Sequence, residues 1–246
     1  MKRLAILAAV LLATASSGVL AEGTDDGKEI LKKVDATSKA VMAVSYTGSY
    51  KAEGAMASRI PTLAGKVMVL GPVEGGVPKK FRIEAKVTAP DSSETKSLVV
   101  GSDGENFYLI DRTAKTVYED IDPAVIGRTG QRVMGLVMQE FLHPTPFSDE
   151  INAKSEMKGT AKVGDEECWK IFVDYGTAAG GQTAMWYFCK KDNLPRQVDR
   201  TRSSQSGEKT TTFQVVTNLK ADPKFKDGAF KVVVPEGYTK SDDFAP

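Results

Sequence analysis

The chain has few of the side chains that support metal or redox chemistry: one histidine, His143, and two cysteines, Cys168 and Cys189. A four-ligand zinc site made only of His and Cys needs four such side chains, and this sequence has three. Charge of one sign is also missing. There are 33 Lys and Arg against 32 Asp and Glu, with no basic block, so the electrostatic footprint of a nucleic-acid binder is absent. No apolar run reaches the roughly 18 residues of a membrane-spanning helix. No serine-nucleophile motif accompanies His143. No catalytic residue, cofactor or metal is expected. What is present is 41% hydrophobic and 26% charged residues, too apolar and too evenly charged for a disordered chain.

Residues 1–21 read as a secretory leader. Lys2 and Arg3 form its positive start, Leu4 to Leu12 its apolar run, and Val19-Leu20-Ala21 its cleavage site, with Glu22 first in the mature chain. Removing Lys2 and Arg3 leaves the acidic side chains in slight excess. No cysteine follows the cut, so no lipid anchor is expected, and the predicted location is the periplasm, an oxidising compartment. No linker or repeat divides residues 22–246, which read as one domain.

Residues 27–42 have helical spacing, with Ile30, Leu31, Val34, Ser38 and Val41 on one side and Lys28, Glu29, Lys32 and Lys33 on the other. The period then falls to two. Val44, Tyr46, Gly48, Tyr50 and Ala52 alternate with polar residues, as do Phe81, Ile83, Ala85 and Val87, and 64–70 reads as a strand between them, closed by a turn over 71–78. Such alternation marks antiparallel strands with one wet face. Folding about Asp103-Gly104 sets Leu98 opposite Leu109 and Val100 opposite Phe107. Folding about 176–181 sets Trp169 against Phe188, Ile171 against Trp186 and Cys168 against Cys189, and Ser206-Gly207 divides 196–204 from 209–217. The pattern predicts an α+β fold: a single antiparallel meander of roughly nine to eleven strands, whose twist either closes it into a barrel or curls it around the helices. A second helix is predicted over 123–142, capped by Asp122, stopped by Pro144, and weakened by Gly127, Gly130 and Gly135. Its apolar stripe is Ile126, Val133, Met134, Val137, Met138, Phe141 and Leu142. The available cover is these two helices and the loops near 54–63 and 143–155. Two helices cover only part of such a sheet, and in the curled case a half-open apolar trough is left that would suit an acyl chain.

The order of elements resembles that of the periplasmic lipoprotein carriers and outer-membrane lipoprotein-sorting proteins, the LolA-like superfamily. The resemblance is carried by Ile30–Val34 leading to Val44–Gly48, by Pro78–Glu84, by Ser102-Asp103-Gly104 with the aromatic strand to Asp111, by Val117-Tyr118 and the helix after it, by Gly164–Ile171, Trp186-Tyr187-Phe188 and Leu194-Pro195-Arg196, and by Phe230–Tyr238 as a closing strand. It implies a half-barrel, a curled antiparallel sheet with a lid of helices over the concave apolar face, and a soluble, non-catalytic carrier or sensor of lipid or acylated lipoprotein. Transient membrane contact only and a monomeric state are expected. With the resemblance, Met134, Val137, Met138, Phe141 and Leu142 read as ligand contacts in the lid, and Tyr46, Tyr50, Phe81, Ile83, Leu98, Phe107 and Leu109 as the concave wall; for both sets the alternative is packed core. The resemblance also implies an arginine that holds the lid, with Arg59 and Arg82 as candidates. The alternative is an envelope protein–protein interaction module with a filled core and no lipid ligand.

The remaining features have plainer readings. Cys168 and Cys189 are expected to form a cross-strand disulfide stabilising by roughly 3 kcal/mol, the alternatives being two free buried thiols or a redox pair. His143 reads as a surface or hinge residue, Glu119, Asp120 and Asp122 as a solvated run, and Asp165, Glu166 and Glu167 as a turn. Arg196, Arg200 and Arg202 alternate along one strand face. They read as a charged edge that resists stray pairing, or as a surface for an anionic lipid head or a partner's acids.

Overall fold

The computed structural model describes residues 24–74, 77–90, 92–119, 133–141, 143–176 and 180–241. The leader and the first part of the 123–142 segment lie outside the described residues. Twelve strands form one open sheet: β1 (Ala43–Gly54), β2 (Thr62–Glu74), β3 (Val77–Thr88), β4 (Thr95–Ser102), β5 (Phe107–Asp111), β6 (Thr116–Glu119), β7 (Lys154–Val163), β8 (Glu166–Asp174), β9 (Thr183–Cys189), β10 (Pro195–Ser203), β11 (Lys209–Ala221) and β12 (Thr239–Ser241). The order is β12-β6-β5-β4-β3-β2-β1-β11-β10-β9-β8-β7. All neighbours are antiparallel except β12 and β6, which are parallel. Among the described residues two complete α-helices accompany the sheet, α1 (Thr24–Ala40) and α2 (Ser148–Asn152). No helix among the described residues is long and apolar enough to cross a membrane.

This order dictates the path of the chain. It starts at the centre with β1, steps outward to β6, and re-enters at the opposite edge with β7 before stepping back to β11, which pairs with β1. The segment between Glu119 and Lys154 must therefore pass from one edge of the sheet to the other. Its described part forms a strap across the inner face. Val133, Leu136, Val137, Met138, Phe141 and Phe147 are buried there against Tyr46, Leu63, Ile83, Leu109, Ile171 and Trp186 in one continuous core. Leu31 and Val34 of α1 join it, and α1 packs on β7, on α2 and on the strap.

The strap corrects the helix expected over 123–142. Within the described residues the helical run ends at Met134, and a 3-10 turn follows at Gln139–Phe141. The reason is visible at Gly135. A Cβ there would lie 2.9 Å from the Tyr50 ring and 3.0 Å from Leu63 Cδ1, so the strap lies too close to the sheet for a side chain. The glycine that weakens a helix here lets the chain leave it and touch the strands.

The hairpins follow the alternation, with one shift. The pairs Trp169–Phe188, Ile171–Trp186 and Cys168–Cys189 are opposed as expected. At 103–106 the loop has four residues, because the Asp103 carboxylate accepts the N–H groups of Glu105 and Asn106 at 3.0 and 2.9 Å. Val100 consequently faces Leu109, and Ser102 faces Phe107. A shift of two keeps every side chain on its expected face. The 71–78 turn is shorter than expected, since β2 runs on to Glu74 and β3 starts at Val77. Phe230–Tyr238 is not a strand. The tail runs over the outer face, where Val232 and Tyr238 pack on Val99, Tyr108, Ile110 and Val117, and only Thr239–Ser241 pairs with β6.

The expected disulfide is also corrected. Cys168 and Cys189 are both free and buried. Each thiol is directed to Glu166 rather than to the other: Cys168 Sγ is 3.7 Å from the Glu166 carbonyl, and Cys189 Sγ is 3.6 Å from its Oε1. Burial pushes the Cys168 thiol up to about 12 and raises that of Cys189, so neither supplies a reactive thiolate near neutral pH. The native protein should leave a thiol reagent unconsumed over hours at pH 7.5, whereas the denatured protein should consume two equivalents. Rapid native labelling would contradict this burial, and no labelling after denaturation would show a bond.

Candidate functional site

Most of the inner face is filled by the protein's own side chains. Phe147 stands edge-on to Trp186 and Phe188 at 5.2 and 5.3 Å, closing the β8–β10 half. The strap is fastened at the centre by Tyr46, whose hydroxyl donates to the Leu136 carbonyl at 3.0 Å and accepts the Met138 N–H at 2.9 Å. Burial raises the Tyr46 pKa well above its ordinary value, so the hydroxyl stays protonated and keeps both bonds.

Space remains beside the strap. A cleft of about 620 Å³ opens between residues 134–140, the β1–β2 loop and the ends of β10 and β11. That lies within the range of roughly 300–1,000 Å³ usual for small-molecule sites. Tyr50, Met56, Ile60, Met134 and Val137 provide apolar lining; Glu140, Arg200, Arg202, Glu208, Thr212 and Gln214 are among the polar residues. Met56 is 41% exposed, yet its backbone is held by a bond from its N–H to Thr210 Oγ1 at 3.0 Å.

The strap's polar partner is Arg200 on β10. Its Nη2 donates to Glu140 Oε1 at 2.5 Å and its Nη1 to Gln214 Oε1 at 3.3 Å, while the guanidinium carbon lies 5.0 Å from the Trp186 ring centre. Neither arginine proposed from the sequence takes this position. Arg59 lies on a 3-10 turn, Ala57–Arg59, and Arg82 donates to Glu84 at 2.9 Å beside the outer-face Tyr108.

Of the expected lid residues, Met134 and Val137 line the cleft, Met138 is buried in the core, and Phe141 lines a separate cleft of about 310 Å³ with Val41 and Met42. Leu142 lies outside the described residues. Of the expected wall residues, only Tyr50 reaches the 620 Å³ cleft. Tyr46 holds the strap, and Phe81, Ile83, Leu98 and Leu109 are packed core, with Phe107 against Phe81 at 6.1 Å. The sequence reading missed Met56, Ile60, Glu140 and Gln214. The clue for Arg200 was its place in alternation with Val198 and Arg202 on a strand that turns from apolar to charged.

The three arginines do not share a face, which corrects that expectation. A bulge between Pro195 and Gln197 turns Arg196 toward the two cysteines' side. There it is 2% exposed and donates to Glu166 at 2.6 and 2.9 Å and to Asp192 at 2.6 Å. Glu166, Cys189 and Asp192 bring three potential ligand atoms within 4.8 Å of one another, but a cation would have to displace this guanidinium. Glu166 belongs to β8 rather than to a turn.

The Arg196 hydrogen bond holds the Glu166 carboxyl below the usual carboxylate range. Its stabilisation is therefore complete above the unfolded value of about 4.3 and is lost as pH falls through the lower folded value. Glu166 is partly exposed, so after solvent screening the effect is about 1 kcal/mol. Between pH 7 and pH 3 the parent should lose that much more stability than Glu166→Gln in urea titrations. Equal losses would show that the pair is screened out.

His143 is exposed and engaged within its own loop, accepting the Thr145 N–H at Nδ1 at 3.2 Å. Glu119 ends β6 and pairs with Lys240; Asp120 and Asp122 lie outside the described residues.

No family model and no curated protein matches the chain. Solved structures do. LprF from Mycobacterium bovis superposes with a TM-score of 0.51 at 11% identity, over 87% of this chain and 98% of its own. The lipoprotein LppX of Mycobacterium tuberculosis gives 0.49 at 10% identity, over 83% and 100%. A LolA superfamily protein from Nitrosomonas europaea gives 0.36 at 10% identity, over 84% and 97%. Identities this low concern the fold alone, and it is the LprF superposition that carries it. The LolA-like resemblance read from the sequence is a resemblance of fold.

Proposed function

We propose that this is an envelope protein that binds a lipid or an acylated lipoprotein non-catalytically, through the cleft beside the strap. The supporting observation is a half-apolar cleft of about 620 Å³, lined by Tyr50, Met134, Val137 and the exposed Met56. Its walls include methionine, an unbranched side chain that adapts to different shapes. The LolA-like fold and the leader read from residues 1–21 support the same reading. In this proposal the role of lid arginine falls to Arg200, which joins the strap to β10 through Glu140.

The cleft is open and shallow beside a filled core, which suits release as well as binding. Each buried methylene contributes about 0.8 kcal/mol, so a fully enclosed long chain would leave slowly. Native mass spectrometry of protein secreted by its own leader and purified without detergent tests the proposal. We expect bound lipid, or uptake of added palmitate or an acylated peptide. Protein that stays empty in all cases favours the interaction-module alternative.

A further inference from the structure

The cleft is not a hydrocarbon site along its whole length. Facing Tyr50, Met134 and Val137 is a wall rich in hydrogen-bond donors, built on β10 and β11. Arg200 and Arg202 are two residues apart on β10, so they lie on one face about 7 Å apart. A guanidinium offers five N–H donors in a fixed fork. Arg200 commits two of them, to Gln214 and to Glu140, and its guanidinium carbon lies over the Trp186 ring. Arg202 donates from Nε to Gln182 at 2.8 Å. The remaining acid of the lining, Glu208, is exposed and accepts from Ser206 at 3.1 Å.

Glu140 shows what this wall accepts. It is a carboxylate on the strap, bound by Arg200 at 2.5 Å. It also lines a neighbouring cleft of about 340 Å³ with His143, Thr145 and Ser148 but also with Asp149 and Glu150. A displaced carboxylate therefore finds polar space there against two other acids, and a ligand must outcompete Arg200's present partner. Arginine forks suit the paired oxygens of phosphates and carboxylates.

We infer that the cleft selects amphiphiles with an anionic oxygen head, phosphate or carboxylate, which Arg200 and Arg202 bind in place of Glu140 while the chain lies on Tyr50, Met134 and Val137. This rests on the lipid-binding reading above and adds the class of head. Binding then exchanges the strap's ion pair for a ligand's, so that occupancy loosens the strap.

The experiment is calorimetric titration of the full folded chain, below the micelle concentration, with dodecyl phosphate, dodecanoate, dodecyltrimethylammonium and butyl phosphate. We expect both anionic long chains to bind about tenfold or more tightly than the ammonium, the increment of a charge-assisted hydrogen bond. Butyl phosphate should bind far more weakly, which separates a lipid head from free phosphate. Arg200→Gln should erase the preference and keep the chain affinity. Glu140→Gln should act oppositely, tightening the anions by removing their competitor. The inference is overturned if the ammonium binds as well as the anions, if butyl phosphate binds as tightly as dodecyl phosphate, or if Glu140→Gln weakens the anions. If no long-chain probe binds whatever its head, the lipid-binding reading falls, and this inference with it.

Discussion

Phe147→Ala should destabilise the protein by about 3–5 kcal/mol, among the largest effects of any single truncation in the chain. The ring is fully buried and meets Trp186 and Phe188 edge-on, while those two rings stack on each other 5.6 Å apart. Its N–H also donates to Asp35 of α1 at 3.3 Å, so the backbone is anchored and collapses poorly into the space left behind. Removal forfeits both the transfer energy of the ring and the edge-to-face contacts, and leaves an aromatic cavity that stays dry and accepts a small apolar guest. Phe172→Ala, on the half-exposed outer face, should cost about 1 kcal/mol or less. Urea midpoints of the two variants check this, together with benzene or xenon binding by Phe147→Ala alone. A cost below about 1 kcal/mol at position 147 would mean that this ring does not seal the β8–β10 half.

This result bears on how much of the protein was legible in its sequence. Counting helices against strands implied an inner face with too little cover. The loop near 143–155 counts among the expected cover, but Phe147 lies in a Pro-rich stretch with no periodicity, so nothing marks this ring as the one that seals the face. Irregular chain can bury a face as well as helix can, and periodic patterns are blind to it. The strands were legible because alternation is local. The β8–β9 register came out correctly because its loop is centred where the apolar runs are. The 103–106 loop slipped by two because the Asp103 side chain, rather than the Asp-Gly dipeptide, sets its length. The bulge after Pro195 turned Arg196 away from Arg200, and bulges leave little trace in a strand pattern.

The cleft was less legible for a different reason. Its walls come from residues about 50, 135 and 200, brought together by the return of β11 to pair with β1. The stripe from Val133 to Phe141 was read as one helical face. Its residues are indeed buried or half-buried, but the strap breaks at Gly135 and distributes them between the core and two clefts. Residue types were right where burial alone decided, and positions were wrong where contact with a distant strand decided.

Tyr46→Phe is expected to cost about 2–4 kcal/mol, far more than the loss of an ordinary hydroxyl. The substitution removes one oxygen and leaves two buried backbone groups unpaired, the Leu136 carbonyl and the Met138 N–H. Each orphaned buried group costs about 1–3 kcal/mol, and the packing of the ring on Phe141 at 5.8 Å is retained, so the loss is one of hydrogen bonding rather than shape. It also falls at one place. Tyr46 lies on the central strand and fastens the strap midway along its crossing, so the variant should release the strap before it unfolds the sheet. Hydrogen exchange should show faster exchange at Leu136–Phe141 in Tyr46→Phe, while β9 and β10 keep their protection. Tyr50→Phe, at the cleft four residues on, has no such pair of bonds among the described contacts and serves as the control. Uniform loss of protection across strap and sheet would mean that the strap and the strands unfold as one unit, and that the cleft cannot widen without unfolding the protein.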